Sequence, residues 1–312
     1  MTTTLIPSAD TRTIVTGGRR VRRRPGWRDI VPWALLILAV AASVLPFFWV
    51  LRTALSTNSA LASHSASLLP AEFSLGAFQR VFGLQTVEEA MAQGGSGAAI
   101  DFWDYLGNSA VFATVTTISA VFFSSMAAYA FSRLHWRGRD KVFGLFLATV
   151  LVPPIFTALP NFLLVRNLHL IDTMLGLVLP YLFMTPFAIF FLRQFFLGMP
   201  REVEEAAMID GAGHARIFFQ IVLPNAAAPV ATLLLLTFMT QWNEYFWPLL
   251  VSGDSTRVLT VGLGVFKAQS PQGAPDWSGL MAATLVSALP VIVLFAIFGK
   301  RIVNNIGFTG SK

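Results

Sequence analysis

Six long apolar segments run through this chain, and they restrict its fold more than any other feature of the sequence. A helix needs roughly 20 mostly apolar residues to cross the hydrocarbon core of a bilayer. Within lipid every backbone polar group needs a partner inside the protein, which a helix provides. We therefore predict an all-α polytopic membrane protein with spans at about 30–51, 106–131, 142–165, 174–192, 226–251 and 280–298.

The composition supports this prediction and excludes several kinds of site. Of the 312 residues, 55% are hydrophobic and only 12% are charged, whereas a soluble domain carries about 25% charged residues. The chain contains no cysteine, which excludes disulfides, thiolate metal ligands and a cysteine nucleophile. The net charge of +6 gathers in short segments beside apolar runs rather than in a surface stripe, so we predict no nucleic-acid partner.

The distribution of Lys and Arg predicts the orientation in the membrane. Six spans place both termini on one side, and that side holds 17 of the 22 basic residues. The positive-inside rule then puts both termini and the 199–224 loop in the cytoplasm. An Arg-rich tail also fits a secretory or twin-arginine signal, but the following run is long enough to span, and five more follow. We predict a basic, partly disordered tail at 1–29, a transmembrane domain at 30–299 and a cytoplasmic tail at 300–312.

Two loops on the opposite side are long. The first covers residues 52–105 and contains Gly94-Gly95-Ser96-Gly97, for which we predict a flexible tip. The second covers residues 252–279 and is rich in Pro, Gly and Ser.

A short polar segment lies between the fourth and fifth spans. Glu202, Glu204 and Glu205 fall in the first turns of a predicted helix, where the helix dipole favours negative charge. Gly211 is placed to end that helix in a left-handed turn. These features alone also fit an ordinary amphipathic helix at the membrane surface. The segment includes Glu205, Ala206, Ala207, Asp210, Gly211, Ile221, Leu223 and Pro224.

The spacing of this segment resembles the signature loop of ABC-importer permeases. The pattern E-A-A, three residues, G, nine residues, I-x-L-P matches at all seven fixed positions. Further segments resemble the second, six-span permease of maltose-type carbohydrate importers, so that the likeness covers roughly residues 30–300. The tail Gly307–Lys312 matches only in part, and residues 86–99 look like an insertion. The similar segments are Ala127–Arg133 with Arg137–Arg139, Trp242–Leu249 and Leu259–Leu263.

The resemblance implies a type I ABC importer permease fold in a prokaryotic plasma (inner) membrane. It implies as partners a homologous second permease, two ATPase subunits that bind ATP and Mg²⁺, and an extracytoplasmic solute-binding protein. The eight residues of the signature loop named above would couple the chain to an ATPase, with Glu205 pairing with an arginine there. The implied solute is a di- or oligosaccharide, with an amino sugar or a glycerol-phosphate derivative as alternatives.

A polar cluster near the outer end of the fifth span is a candidate substrate path. Because an acid at bilayer depth is costly, it usually faces a cavity or a partner. Trp242 or Tyr245 could stack on a sugar ring, but a cluster at the headgroups, where Trp and Tyr are common, is the more ordinary interpretation. In the 252–279 loop, three residues could face the binding protein, or the loop could be a disordered connector. The residues are Gln241, Trp242, Asn243, Glu244 and Tyr245, and in the loop Gln269, Ser270 and Gln272.

The motifs of several other function classes are missing. The chain has no G-x4-G-K-[ST] phosphate loop, so we predict that it lacks an ATPase site of its own and is not an enzyme. It has neither H-E-x-x-H nor G-x-S-x-G, and we predict no catalytic residue, no metal site and no cofactor. A stand-alone secondary transporter is an alternative, but it would be expected to show paired intramembrane charges or inverted repeats.

Overall fold

The computed structural model describes residues 27–63, 67–96, 100–264, 266 and 275–306, and these residues are predominantly helical, as predicted. Three helices are long and apolar enough to cross a membrane: α1 (Trp27–Ala54), α5 (Phe102–Arg133) and α16 (Trp277–Ile306). Residues up to Phe48 form one structural unit and the remainder a second. Most of the predicted N-terminal tail, up to residue 26, and residues 307–312 lie outside the described residues.

Three further apolar segments are bent pairs of helices. The first pair, α6 (Arg139–Thr149) and α7 (Pro154–Asn167), meets at 94°. Counting each pair as one span gives up to six spans in the described chain, and the cytoplasmic placement of the termini stays a prediction. The second pair is α8 (Met174–Val178), extended by a 3₁₀ turn (Leu179–Tyr181), and α9 (Pro186–Leu197), which meet at 46°. In the third pair, the first member consists of α11 (His214–Ile217), a π turn (Phe218–Val222) and α12 (Leu223–Asn225). It meets α13 (Ala227–Trp242) at 79°.

The continuous spans expected at 142–165, 174–192 and 226–251 are all interrupted, the second of them between Tyr181 and Pro186. Pro153 and Pro154 end α6 because neither has an N–H to continue the helix, and Pro153 is extended as the residue before a proline prefers. After α13, residues 243–245 separate it from α14 (Phe246–Val251). Pro248 explains this break, since its ring fits the first turn of a new helix but would clash with the carbonyl of residue 244 in a continuous one.

Short helices occupy the connecting segments. The 55–101 segment contains α2 (Asn58–Ser63), α3 (Gly76–Val81) and α4 (Val87–Ala92), and the 252–265 segment contains α15 (Leu259–Gly262). The segment at 86–99 that resembled an insertion therefore begins as a helix, and a capping box formed by Thr86 and Glu89 defines its start. The loop between the fourth and fifth apolar segments contains α10 (Glu202–Ile209).

The flexible tip predicted at residues 94–97 is wrong for the part that the structure describes. Gly94, Gly95 and Ser96 are buried. The carbonyl of Gly94 accepts a 2.7 Å hydrogen bond from Asn58 Nδ2, and the Ser96 N–H donates to Asp276 Oδ2 over 2.9 Å. A Cβ on Gly95 would lie 2.7 Å from the guanidinium carbon of Arg80, so glycine is required here by close approach rather than by flexibility.

Helix α5 is the central element of the second unit. It packs most extensively against α9 and α13, and it also contacts α6, α8 and α15. Near its C-terminal end, buried apolar side chains of α5, α9 and the π turn form one core cluster. The π turn is part of the 199–224 loop, so this core anchors that loop beside the end of α5. Its members include Tyr129, Phe131, Ile189, Leu192, Phe196, Phe218 and Val222.

Asp172 ties together two loops, one before α8 and one after α14. Its carboxylate Oδ1 accepts hydrogen bonds from the Gly253 N–H (2.8 Å) and from the Thr256 hydroxyl (2.7 Å). Burial by itself would raise the pKa of Asp172, but the hydrogen bonds from Thr256, Gly253 and Ser255 outweigh it and lower that pKa to about 2. The ionised carboxylate is therefore the form that the folded protein favours.

Replacing Asp172 by Asn should weaken this tie and remove its acid sensitivity. Hydrogen bonds to a charged group contribute about 1.5–3 kcal/mol, and the neutral amide loses part of that. Because the folded pKa lies below the ordinary value of 3.8, the stabilisation is present above about pH 4 and is lost as the pH falls towards 2. Unfolding midpoints of both proteins measured from pH 7 to pH 2 should converge at the acid end, and parallel curves would contradict this.

Candidate functional site

Helix α10 presents part of the predicted signature to the protein surface. Glu202, Glu204 and Glu205 lie in its first turn, as predicted, where the partial positive charge of the helix N-terminus stabilises carboxylates. Glu205 and Ala206 are exposed, and Ala207 is half-buried. The exposed positions therefore combine one free carboxylate with a small side chain that lets another backbone approach closely.

The end of α10 has the geometry predicted from Gly211. Its φ angle is +82°, in the left-handed region that favours glycine. The Ala212 N–H donates to the Ala207 carbonyl over 2.9 Å, and the Gly211 N–H donates to the Met208 carbonyl over 3.0 Å. This pair of bonds is a Schellman motif, which closes the helix and turns the chain sharply. Asp210 is the exposed C-cap residue of the same turn.

Large apolar side chains extend the exposed face of α10 beyond the E-A-A positions. Ile209 is 87% exposed, and Val203 and Met208 are exposed as well. Neither Met208 nor Ile209 was predicted from the sequence, although their position next to the signature could have indicated them. Apolar side chains grouped on a polar loop are typical of a surface that binds another protein.

The second half of the loop packs into the chain instead of facing outward. Ile217, Phe218 and Val222 are buried in the core next to α5 and α9, and Ile221 and Leu223 pack against the same core. Pro224 lies exposed in α12, directly after the π turn. The signature thus divides into an exposed part around Glu205 and an anchoring part around Ile221.

A buried ion pair, which was not predicted from the sequence, joins α10 to the end of α5. Arg133 Nε lies 2.9 Å from Glu204 Oε1, with both side chains at most 5% exposed. Arg133 Nη2 also donates to the Met199 carbonyl over 2.9 Å. Burial raises the pKa of Glu204, while the positive charges of Arg133 and Arg201 act in the opposite direction. Glu204, and not its neighbour Glu205, is therefore the glutamate that this chain uses internally.

A cleft of about 590 Å³, lined by charged and apolar side chains, lies beside this ion pair. It opens between the end of α5, the segment that follows it and α10, so that the ion pair forms part of its wall. Both signs of charge are present in the lining. The residues are Tyr129, Arg133, Leu134, His135, Trp136, Arg201, Glu204, Glu205, Met208 and His214.

Of the residues predicted to line a substrate path, some are buried inside the protein and others are exposed. Gln241 is buried, and so is Trp242, whose ring stacks on Phe238 at 5.6 Å and whose Nε1 donates to the Ser287 carbonyl over 3.0 Å. Trp242 therefore packs inside the protein and does not offer a free ring face to a sugar, which corrects the stacking role expected for it. Tyr245 remains 47% exposed.

The polar residues of the same cluster occupy the break after α13. The Asn243 side chain is exposed and donates to the Met239 carbonyl, while Glu244 Oε1 accepts a 3.2 Å bond from the Trp247 N–H. The Glu244 backbone carbonyl accepts a 2.7 Å bond from the Thr260 hydroxyl, which connects the break to α15. The residues predicted to face a binding protein, Gln269, Ser270 and Gln272, lie outside the described residues.

Comparisons with known proteins agree on one family. The family model for "binding-protein-dependent transport system inner membrane component" matches residues 120–307. The chain is 34% identical over 211 residues to the arabinooligosaccharides transport system permease protein AraQ of Bacillus subtilis, covering 68% of this chain and 74% of that protein. It is 32% identical to the diacetylchitobiose uptake system permease protein NgcG of Streptomyces coelicolor, covering 88% of this chain and 85% of that protein.

A solved structure has the same fold. It belongs to a bacterial ABC transporter involved in the import of the acidic polysaccharide alginate, and it aligns with a TM-score of 0.71. The alignment covers 89% of this chain and 98% of the other chain at 22% identity. This likeness shows that the two chains share a fold over most of their lengths.

Proposed function

This chain belongs to the family of binding-protein-dependent transport system inner membrane components, and from that premise we propose that it is the permease subunit of an ATP-driven importer for a carbohydrate. It is a multi-pass inner-membrane protein, and its relatives are permease subunits rather than enzymes. The proposed cargo is a di- or oligosaccharide, in line with the printed names of AraQ and NgcG. An amino sugar or a glycerol-phosphate derivative is the alternative cargo.

One observation carries the proposal: the signature loop is an exposed helix on a buried anchor. Glu205 and Ala206 face outward on α10, while Ile221 packs in the core. The side chain of Ile209 is 87% exposed one turn after Glu205. Apolar and acidic side chains therefore share the exposed face of α10, as expected of a helix that inserts into a cleft of another protein.

The proposed assembly contains a homologous second permease, two ATPase subunits and an extracytoplasmic solute-binding protein. The ATPases would bind ATP and Mg²⁺, and their closure would move α10 through contacts at Glu205, Ala206, Ala207 and Gly211. The two permeases would then alternate between inward-open and outward-open states. The excess of basic residues on the side of the 199–224 loop supports a cytoplasmic location for that loop.

Solute contact by this chain is proposed for the break after α13. Tyr245 and Asn243 have exposed side chains, and Glu244 is half-buried beside them. An aromatic ring and an amide at one site suit a sugar, which presents C–H groups on its faces and hydroxyls at its edges. Gln241 and Trp242 support this site from within the protein.

Crosslinking from α10 tests the proposal. Because the chain has no cysteine, an Ile209→Cys variant carries one thiol, at an 87% exposed position. With a thiol-reactive photo-crosslinker in native membranes, this variant should capture an ATPase subunit, and transport into vesicles should require ATP. Leu84→Cys, exposed in the segment between α3 and α4, is the matched control and should capture no ATPase.

Two outcomes would contradict the proposal. Capture of the ATPase from Leu84→Cys but not from Ile209→Cys would place the docking surface elsewhere. Transport that continues without ATP and stops when ion gradients are collapsed would instead favour a secondary transporter.

A further inference from the structure

We propose that the Arg133–Glu204 ion pair is the mechanical link through which α10 moves α5. The inference rests on the proposed function, because it assumes that an ATPase displaces α10. It assigns Arg133 and Glu204 a positioning role: they touch neither solute nor nucleotide, and they determine how motion at the docking surface enters the membrane-spanning part of the chain.

The burial pattern of α10 singles out Glu204. All eight residues of α10 are described, and Glu204 is the only buried one among them. Ala207 is half-buried and adds apolar contact with the core. A helix that a partner displaces will carry along only what it is firmly joined to, and here the firm contact is the 2.9 Å pair between Glu204 and Arg133.

Arg133 joins three parts of the chain at one point. It lies in the last turn of α5, pairs with Glu204 in the first turn of α10, and donates to the Met199 carbonyl in the turn between α9 and α10. A nearby bond runs in parallel, since Arg193 Nε on α9 donates to the Phe131 carbonyl of α5 over 3.2 Å. The turn is therefore joined to α5 through Met199, and the helices before and after it are joined to α5 through Arg193 and Glu204.

The ionic character of the link indicates a geometric purpose. A buried ion pair contributes little net stability compared with well-packed apolar residues of similar size, because both charges lose their hydration. Apolar packing could hold α10 against α5, but it would allow the two surfaces to slide. The Arg133 guanidinium is oriented by the hydrogen bond from Nη2 to the Met199 carbonyl, because a guanidinium has fixed donor directions. Its Nε then lies 2.9 Å from Glu204 Oε1 as an ion pair in which these two atoms form no hydrogen bond.

Helix α5 can carry the displacement to the other end of the protein. Its 32 residues make a rod of about 48 Å at 1.5 Å per residue. Near its N-terminal end, Ser109 Oγ accepts a 2.7 Å bond from the Leu259 N–H. The adjacent Thr260 bonds to the Glu244 carbonyl, so an unbroken series of contacts leads from Glu204 to the proposed solute site.

The ratio of solute transported to ATP hydrolysed tests this link. In the complete complex reconstituted in vesicles, Arg133→Gln and Glu204→Gln should each lower the ratio about tenfold, with ATPase subunits still bound. The exchanged pair R133E/E204R should restore at least half of the ratio. Glu202→Gln, an exposed carboxylate on the same helix, is the matched control and should leave the ratio unchanged.

A distance measurement supplies a second readout. Spin labels on cysteines at Val203 and Met126, both exposed, report the position of α10 relative to α5. The distance distribution should be narrow in the complex and should broaden when Arg133→Gln is added. If both single substitutions prevented accumulation of the protein, the R133E/E204R variant would be the test. An assembled R133E/E204R complex with a low ratio of solute transported to ATP hydrolysed would overturn the inference.

Failure of the inference differs from failure of the proposed function. An unchanged ratio in Arg133→Gln, with ATPases bound and ATP-dependent transport intact, would refute the link and leave the importer. An unmutated complex without any ATPase would refute the importer itself.

Discussion

Replacing Asp276 by Ala should destabilise the folded chain by about 3–5 kcal/mol, the usual effect of removing one partner of a buried ion pair. Arg80 Nε lies 3.1 Å from Asp276 Oδ2, with side-chain exposures of 4% and 0%. Without the carboxylate, the Arg80 guanidinium would remain buried without a counter-charge. Asp276 also begins α16, because its Oδ1 accepts the Gly279 N–H over 2.8 Å, and losing this cap adds to the effect.

The unfolding midpoint of the purified protein in detergent, followed by far-UV circular dichroism, measures this effect. The matched control is Asp254→Ala, since Asp254 pairs with Arg257 but its side chain is 98% exposed. Surface pairs of this kind contribute little, so no measurable shift is expected from the control. Replacing both buried partners, as in R80M/D276L, should recover much of the loss because no unpaired charge remains. Equal midpoints for Asp276→Ala and Asp254→Ala would contradict the prediction.

The sequence predicted those features of the fold that depend on local pattern. Apolar segment length located the membrane-spanning helices, because lipid imposes a minimum length on any helix that crosses it. The signature spacing located α10, and Gly211 predicted its left-handed end, since few other residues adopt that conformation without strain. The 94° bend between α6 and α7 was not predicted, because it depends on packing that Pro153 and Pro154 permit and do not determine.

Features that depend on distant partners had no local signal. Arg133 and Glu204 lie far apart in the sequence, on α5 and α10, and each by itself fitted a simpler role, Arg133 as an orientation charge and Glu204 as a dipole partner. The glycines at 94 and 95 indicated flexibility, whereas Gly95 is small because the Arg80 side chain occupies the adjacent space. The same limit applied to Trp242, whose stacking on Phe238 and bond to Ser287 removed it from the solute-facing residues.

Replacing Gly211 by Val should reduce the stimulation of ATP hydrolysis by the loaded binding protein by about tenfold, while the complex still assembles. At φ +82° a β-branched residue is strongly disfavoured, and the left-handed conformation costs about 1–2 kcal/mol even for an ordinary L-residue. A Cβ at Gly211 would meet nothing within 4 Å, so the change acts through the backbone alone. Relief of that strain would open the turn, break the bond from Ala212 to Ala207 and change the direction of the exposed end of α10.

Two variants separate this mechanism from a general effect of bulk. Gly213→Val introduces the same side chain two residues later, where φ is −75° and no atom lies within 4 Å of the new Cβ, so it should preserve coupling. Gly211→Asn should retain most of it, because asparagine tolerates the left-handed region better than other residues with a side chain. If the Gly211→Val complex hydrolysed ATP and transported solute at the same rates as the unmutated complex, the turn would have no part in coupling. In that case α10 would not be the helix through which the ATPase acts.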